Sequence, residues 1–105
     1  MKIKIANSYT KTPGGRFISE GKFSGEDFRS NYLKPAYLEA KEKNEVLEID
    51  LDGGYGYATS FLEEAFGGLA RELKESTILD IVIISEEEPS LIGKIHEYIE
   101  AGLKS

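Results

Sequence analysis

Seven consecutive residues, Ile78-Leu79-Asp80-Ile81-Val82-Ile83-Ile84, are apolar at all but one position, and four of the seven are β-branched isoleucines. A run of this kind reads as a central strand covered on both faces, the arrangement found in parallel sheets flanked by helices. Helical patterns stand on either side of it. Phe61, Leu62, Ala65, Phe66, Leu69 and Leu73 recur at three- and four-residue spacing before it, and Leu91, Ile92, Ile95, Tyr98, Ile99 and Leu103 after it. A buried strand between two amphipathic helices restricts the chain to an α/β fold.

The remaining elements follow the same logic. Val46–Asp52 alternates and then meets Gly53-Gly54, which should end a strand. Lys2–Ile5 alternates like a half-exposed strand. Arg16-Phe17-Ile18, preceded by the Pro13-Gly14-Gly15 turn, predicts a further strand and a leading hairpin. Ser24 with Asp27 three residues on predicts a capped helix start, with Phe28, Tyr32 and Leu33 on one face. Pro35 should kink this helix or open a second one carrying Leu38 and Ala40. Thr59 or Ser60 is expected to cap the next helix, and the last should begin near Pro89. The order is β-β-α-β-α-β-α, a mixed sheet of about four strands with three or four helices in a single domain over 1–105. Right-handed crossovers should join its parallel strands.

Composition narrows the chemistry. With 105 residues, one domain with a modest core is expected. The chain has no Cys and one His, which removes thiolate chemistry and any His-pair metal site within one chain. The formal charge is −6, and nucleic acid or anionic membrane would call for a net positive surface. The charge is also uneven: residues 1–45 carry a net +3 and residues 46–105 a net −9. Solvated helix faces account for this, as would an acidic surface that steers a partner. No apolar run has the length of a membrane span and no signal-peptide pattern opens the chain. A soluble, cytoplasmic domain is the expectation.

Asp50-Leu51-Asp52-Gly53-Gly54-Tyr55-Gly56-Tyr57-Ala58-Thr59-Ser60-Phe61 is the segment richest in potential chemistry. A strand ends in two acids, a glycine-rich loop follows, and a helix opens on two hydroxyls. Four readings fit. The hydroxyls and glycines could simply cap and turn the chain. A nucleotide-phosphate loop is a second reading, although the P-loop lysine and the GxGxxG spacing are missing. Asp50 and Asp52, on one face of a strand, could form a metal or phospho-acceptor pair. Lastly, a serine at a helix start could be a phosphorylation switch, its dianion favoured by the free N–H groups there.

Other residues carry weaker signals. Arg16 and Arg29 could meet a carboxylate such as Glu63 or Glu64, or hold a phosphate. Gly67-Gly68 sits inside a strong helix, where glycine costs about 1 kcal/mol relative to alanine, so close approach of another backbone is expected there. Glu86-Glu87-Glu88 reads as a solvated acidic run before a helix. His96 reads as solvent-facing or half-buried. Tyr9, Tyr55 and Tyr57 fall in loops and are candidate exposed anchors for a partner.

The order of elements, and an Asp-Leu strand end followed about nine residues later by a serine at a helix start, resemble the STAS domain of anti-sigma-factor antagonists. In that family the helix start reads Asp-Ser-Ser-Gly-Leu and its second serine is phosphorylated by a partner kinase. Here Ala58 takes the place of the Asp, Thr59 and Ser60 of the serines, Phe61 of the Gly and Leu62 of the Leu, so Ala58 and Phe61 depart from the motif. A closer resemblance is to a family of STAS-like domains of unknown function. It is carried by Arg16–Gly21, Ser24–Arg29, Leu33-Lys34-Pro35-Ala36, Ile49–Gly53 and Ser60–Leu69, and covers roughly residues 16–85. Members often accompany a histidine-kinase-like ATPase module.

The resemblance implies a regulatory protein-binding domain of the partner-switch type, not an enzyme, that meets such an ATPase in trans and needs no cofactor. It implies Ser60, with Thr59 as second choice, as the switch. The expected docking face comprises Asp50, Asp52, Gly53, Tyr55, Tyr57, Phe61 and Glu64. The alternative from the residues alone is a small-molecule or nucleotide-binding domain, or an enzyme, using Asp50 and Asp52 at the carboxyl end of the strand.

Overall fold

Three short parallel strands form the sheet, in the order β1-β2-β3: β1 is Lys2–Lys4, β2 Glu48–Asp50 and β3 Val82–Ile84. The structure, a computed structural model, describes all residues, 1–105. Register places Ile3, Ile49 and Ile83 side by side on one face. Each connection advances one strand in the same direction, so right-handed crossovers put the connecting helices on the same face of the sheet. That is the face where Ile49 and Ile83 are buried. Lys2, Glu48 and Val82 point to the opposite face, where Val82 is 42% exposed. The domain is therefore a two-layer α/β unit.

Two sequence expectations change here. The sheet has three strands and is wholly parallel, because Arg16–Ile18 makes no strand and no leading hairpin forms. The Gly14 N–H instead donates to Phe23 O, the Gly25 N–H to Gly15 O and the Glu26 N–H to Arg16 O, closing the neck of a loop. The run at 78–84 is not a central strand covered on both faces. β3 is an edge, and Ser76–Asp80 winds as a 3-10 turn. Pairing sets that limit: β2 pairs over only three residues, with Glu48 opposite Val82, so Ile78–Asp80 has no strand to lie against. Ile78 is still fully buried, now in the core.

Four helices complete the chain. α1 is the short Ile5–Ser8. α2, residues 25–42, runs from α-helix Gly25–Phe28 through a π turn, Arg29–Leu33, into α-helix Lys34–Glu42. The Ser24 hydroxyl caps it by accepting the Asp27 N–H at 3.0 Å. Pro35 stands in the first turn of the α-helical segment Lys34–Glu42, in keeping with the expectation of a new start there, and a π turn joins that segment to the one before. The π turn just before it, with the Lys34 N–H donating to Arg29 O, moves the backbone where proline would clash with the preceding turn. Tyr37, not Leu38, faces the core beyond it, because the π turn rotates the following residues around the axis.

α3, residues 59–73, likewise passes through a π turn, Glu63–Gly67, between α-helices Thr59–Leu62 and Gly68–Leu73. α4 is Ser90–Lys104. Phe28, Leu33, Ile49, Phe61, Phe66, Leu69, Ile95 and Ile99 are fully buried between the helices and the sheet. α3 and α4 cross closely at Gly67 and Gly102: a Cβ on Gly102 would come within 2.5 Å of Gly67 O and 2.8 Å of the Ala70 Cβ.

Candidate functional site

The carboxyl end of β2 opens into the glycine loop, and each acid there is engaged within the chain. Asp50 accepts the Asp52 N–H at 2.9 Å and lies 3.7 Å from the Lys2 ammonium. Asp52 accepts the N–H groups of Glu87 at 2.9 Å and Glu86 at 3.0 Å, and these bonds hold its carboxyl below the usual range. Glu87 returns the contact by accepting the Gly53 N–H at 2.8 Å. Asp52 and Glu87 thus tie the loop after β2 to the loop after β3. A cleft of about 210 Å³ lies between these loops, lined by Leu51, Tyr55, Tyr57, Ser85, Glu88 and Leu91 among others.

The rest of the loop projects. The Tyr55 N–H donates to Lys11 O at 2.9 Å while its side chain is 84% exposed. Gly53 and Gly56 take φ of +93° and +117°, which side chains rarely adopt. Tyr57 turns inward: its hydroxyl donates to Leu51 O at 2.9 Å and its ring lies 5.9 Å from Phe61. Burial, with Asp50, Asp52 and Glu87 nearby, raises its pKa well above the usual value. Tyr9 is not an open anchor either; its ring packs on Phe23, Phe28 and Tyr32, and its hydroxyl donates to Asp27 at 2.6 Å.

The helix that follows starts without a side-chain cap. Ala58, in extended conformation, holds the N-cap position, and its carbonyl accepts the Phe61 and Leu62 N–H groups. Neither Thr59 nor Ser60 caps the helix, contrary to expectation, because both already lie within its first turn. Thr59 is exposed and Ser60 half-buried at the mouth of the loop. Phe61 and Glu64, expected on a docking face, are withdrawn from solvent: Phe61 is fully buried and Glu64 nearly so.

Glu64 belongs to a charged cluster that joins α2, α3 and the Arg16 loop. Arg16 donates to Glu63 and Glu64, Arg29 to Glu64, and Arg71 to Glu63. Glu72 pairs with Lys34 and stands 3.7 Å from Arg29. The hydrogen bonds from Arg71 and Arg16 hold the Glu63 carboxyl below its usual range. The π turn in α3 shapes this cluster. The Gly68 N–H donates to Glu63 O and Ala65 O, and Arg29 donates to Glu64 O at 2.7 Å, the carbonyl that a regular α-helix would pair with Gly68. Gly68 has no Cβ, which leaves the space occupied by the Arg29 guanidinium. The two glycines therefore serve two faces, Gly67 toward α4 and Gly68 toward Arg29. A meeting of Arg16 and Arg29 with these carboxylates was one of the readings the sequence left open, beside a held phosphate; the part of Gly68 and both π turns left no sequence signal beyond the glycines and Pro35.

A family model described as a STAS-like domain of unknown function matches residues 24–91. The chain belongs to that family. The matched span includes α2, β2, the glycine loop, α3 and β3 of this STAS-like domain. No curated protein matches it, and no solved structure does. No helix is long and apolar enough to cross a membrane.

Proposed function

We propose that this STAS-like domain is a regulatory protein-binding module of the partner-switch type, docking a histidine-kinase-like ATPase in trans in the cytoplasm and working by binding rather than catalysis. Its docking face is the Gly53–Ser60 loop, led by Tyr55, with the exposed start of α3. Ser60 is the residue that receives a phosphoryl group, with Thr59 second. One observation supports this reading above others: the hydroxyls of Thr59 and Ser60 sit in the first turn of a helix that lacks a side-chain cap, and neither is used to hold the fold. Phosphate in that position is favoured by the helix end while changing the charge a partner meets. Of the acids that a ligand-binding reading would use, Asp50 holds the Asp52 N–H and lies beside Lys2, and Asp52 ties two loops together.

Wild-type chain and Ser60→Asp, used as baits in a lysate of the native host, test it. The expected result is a histidine-kinase-like ATPase retained by wild type and lost from the variant. The same ATPase on both baits would remove the serine switch and leave docking. No ATPase on wild type would overturn the reading.

A further inference from the structure

We propose that the corner formed by residues 14–32 is the interface of a two-fold symmetric homodimer. Of the eight large apolar side chains exposed on the molecule, four gather here: Phe17 at 45%, Ile18 at 54%, Phe23 at 39%, and Tyr32. They are held in place. The Phe17 N–H donates to the Glu20 carboxylate at 2.7 Å and the Ile18 N–H to Glu26 at 2.9 Å. Arg16 anchors the base of the loop on Glu63 and Glu64. Phe23 takes φ of +58°, an outlier for a bulky residue, while standing edge-on to Tyr9 at 5.5 Å. Backbone strain spent on presenting apolar groups to water is a mark of a binding surface, and fixing them beforehand lowers the ordering cost of association.

Shape and charge select a second copy as the occupant. Beside the Phe17-Ile18 projection lies a cleft of about 440 Å³, lined by Ile18, Gly21, Lys22, Phe23 and Asp27. A projection next to a cleft is self-complementary about a two-fold axis, each filling the other. The cleft carries one cation and one anion. Lys22 makes no ion pair within the chain, and Asp27 is fixed by Tyr9 and by Asn31 at 2.7 Å. The axis brings Lys22 of each copy to Asp27 of the other. Two chains of formal charge −6 repel over most of their surface, whereas residues 14–32 hold three cations (Arg16, Lys22, Arg29) and three anions (Glu20, Glu26, Asp27) and are neutral.

Sedimentation equilibrium on the full chain over a wide concentration range reads this directly. Wild type should move from 11.7 kDa toward twice that mass and stop there. Ile18→Glu, with circular dichroism unchanged, should stay monomeric throughout. Lys22→Glu should raise the dissociation constant roughly tenfold, and Val82→Glu, on the open sheet face, should leave it unchanged. A wild type that is monomeric at every concentration, a mass rising beyond the dimer, or a dimer that survives Ile18→Glu would each overturn the proposal. The mass is read without the ATPase, so it is independent of the serine switch.

Discussion

Asp50 and Glu64 are the two acids nearly withdrawn from water, and Glu64 is the one set among arginines. Its side chain is 10% exposed, and its carboxylate accepts from Arg29 and Arg16 while its own carbonyl accepts from Arg29. Neutralising it takes the charged partner from the largely buried Arg29, whose Nε is already buried without a hydrogen bond, and leaves Arg16 with Glu63 alone. Glu64→Gln should lower the unfolding free energy by about 2 kcal/mol, the scale on which a buried charge loses its partner. Glu72 pairs with Arg29 and Lys34 too, but its side chain is 40% exposed. Water replaces much of what Glu72→Gln removes, so that change should cost less than about 1 kcal/mol. Urea titrations of both variants check the contrast; equal losses would mean that burial does not set the worth of these pairs.

At the scale of elements, α4 contains its own controlled comparison. Gly93 and Gly102 occupy the same helix with the same propensity penalty. A Cβ on Gly93 would meet nothing within 4 Å, whereas one on Gly102 would strike the Gly67 carbonyl and Ala70. Gly93→Ala should therefore stabilise by about 0.5–1 kcal/mol. Gly102→Ala should destabilise by about 1–3 kcal/mol, because α3 and α4 must separate. Thermal melts of the two variants should shift in opposite directions. The same elements show what the sequence could convey. Helices α3 and α4 were legible because their apolar spacing is local and long, and Ser24 with Asp27 marked a start that the hydrogen bond confirms. Arg16–Ile18 is a loop and no strand because three residues of alternation carry little weight beside the bonds they donate to Glu20 and Glu26 nearby and to Glu63 and Glu64 far along the chain. In the candidate site, Tyr55 was legible as an exposed loop aromatic. The burial of Phe61 was legible in the apolar spacing of α3, against its place on the expected docking face; that of Glu64 was not, since it depends on arginines far away in sequence.

Over the whole molecule, these carboxylates decide how the domain responds to acid. Arg71 and Arg16 depress Glu63 in the folded state from its ordinary value near 4.5, and Tyr37 and Lys41 likewise depress Glu75. A carboxyl depressed on folding stabilises the fold in full above its unfolded pKa. That contribution declines as pH falls below about 4.5 and is gone once the folded group is protonated. Stability should hold level from pH 7 down to about pH 5 and then fall. Glu63 crosses from α3 to the loop through Arg16, so its loss unpins the loop that presents Phe17 and Ile18. Glu63→Gln should lower stability at pH 7 and flatten the acid limb, the gap between the two curves narrowing as pH falls below about 4.5 and wild type loses the same charge. Urea midpoints measured for both chains between pH 3 and pH 7 check this. Parallel curves with no convergence would show that the Glu63 carboxylate contributes nothing through its ionisation, leaving Glu75 and Asp52 as the groups that set the acid limit.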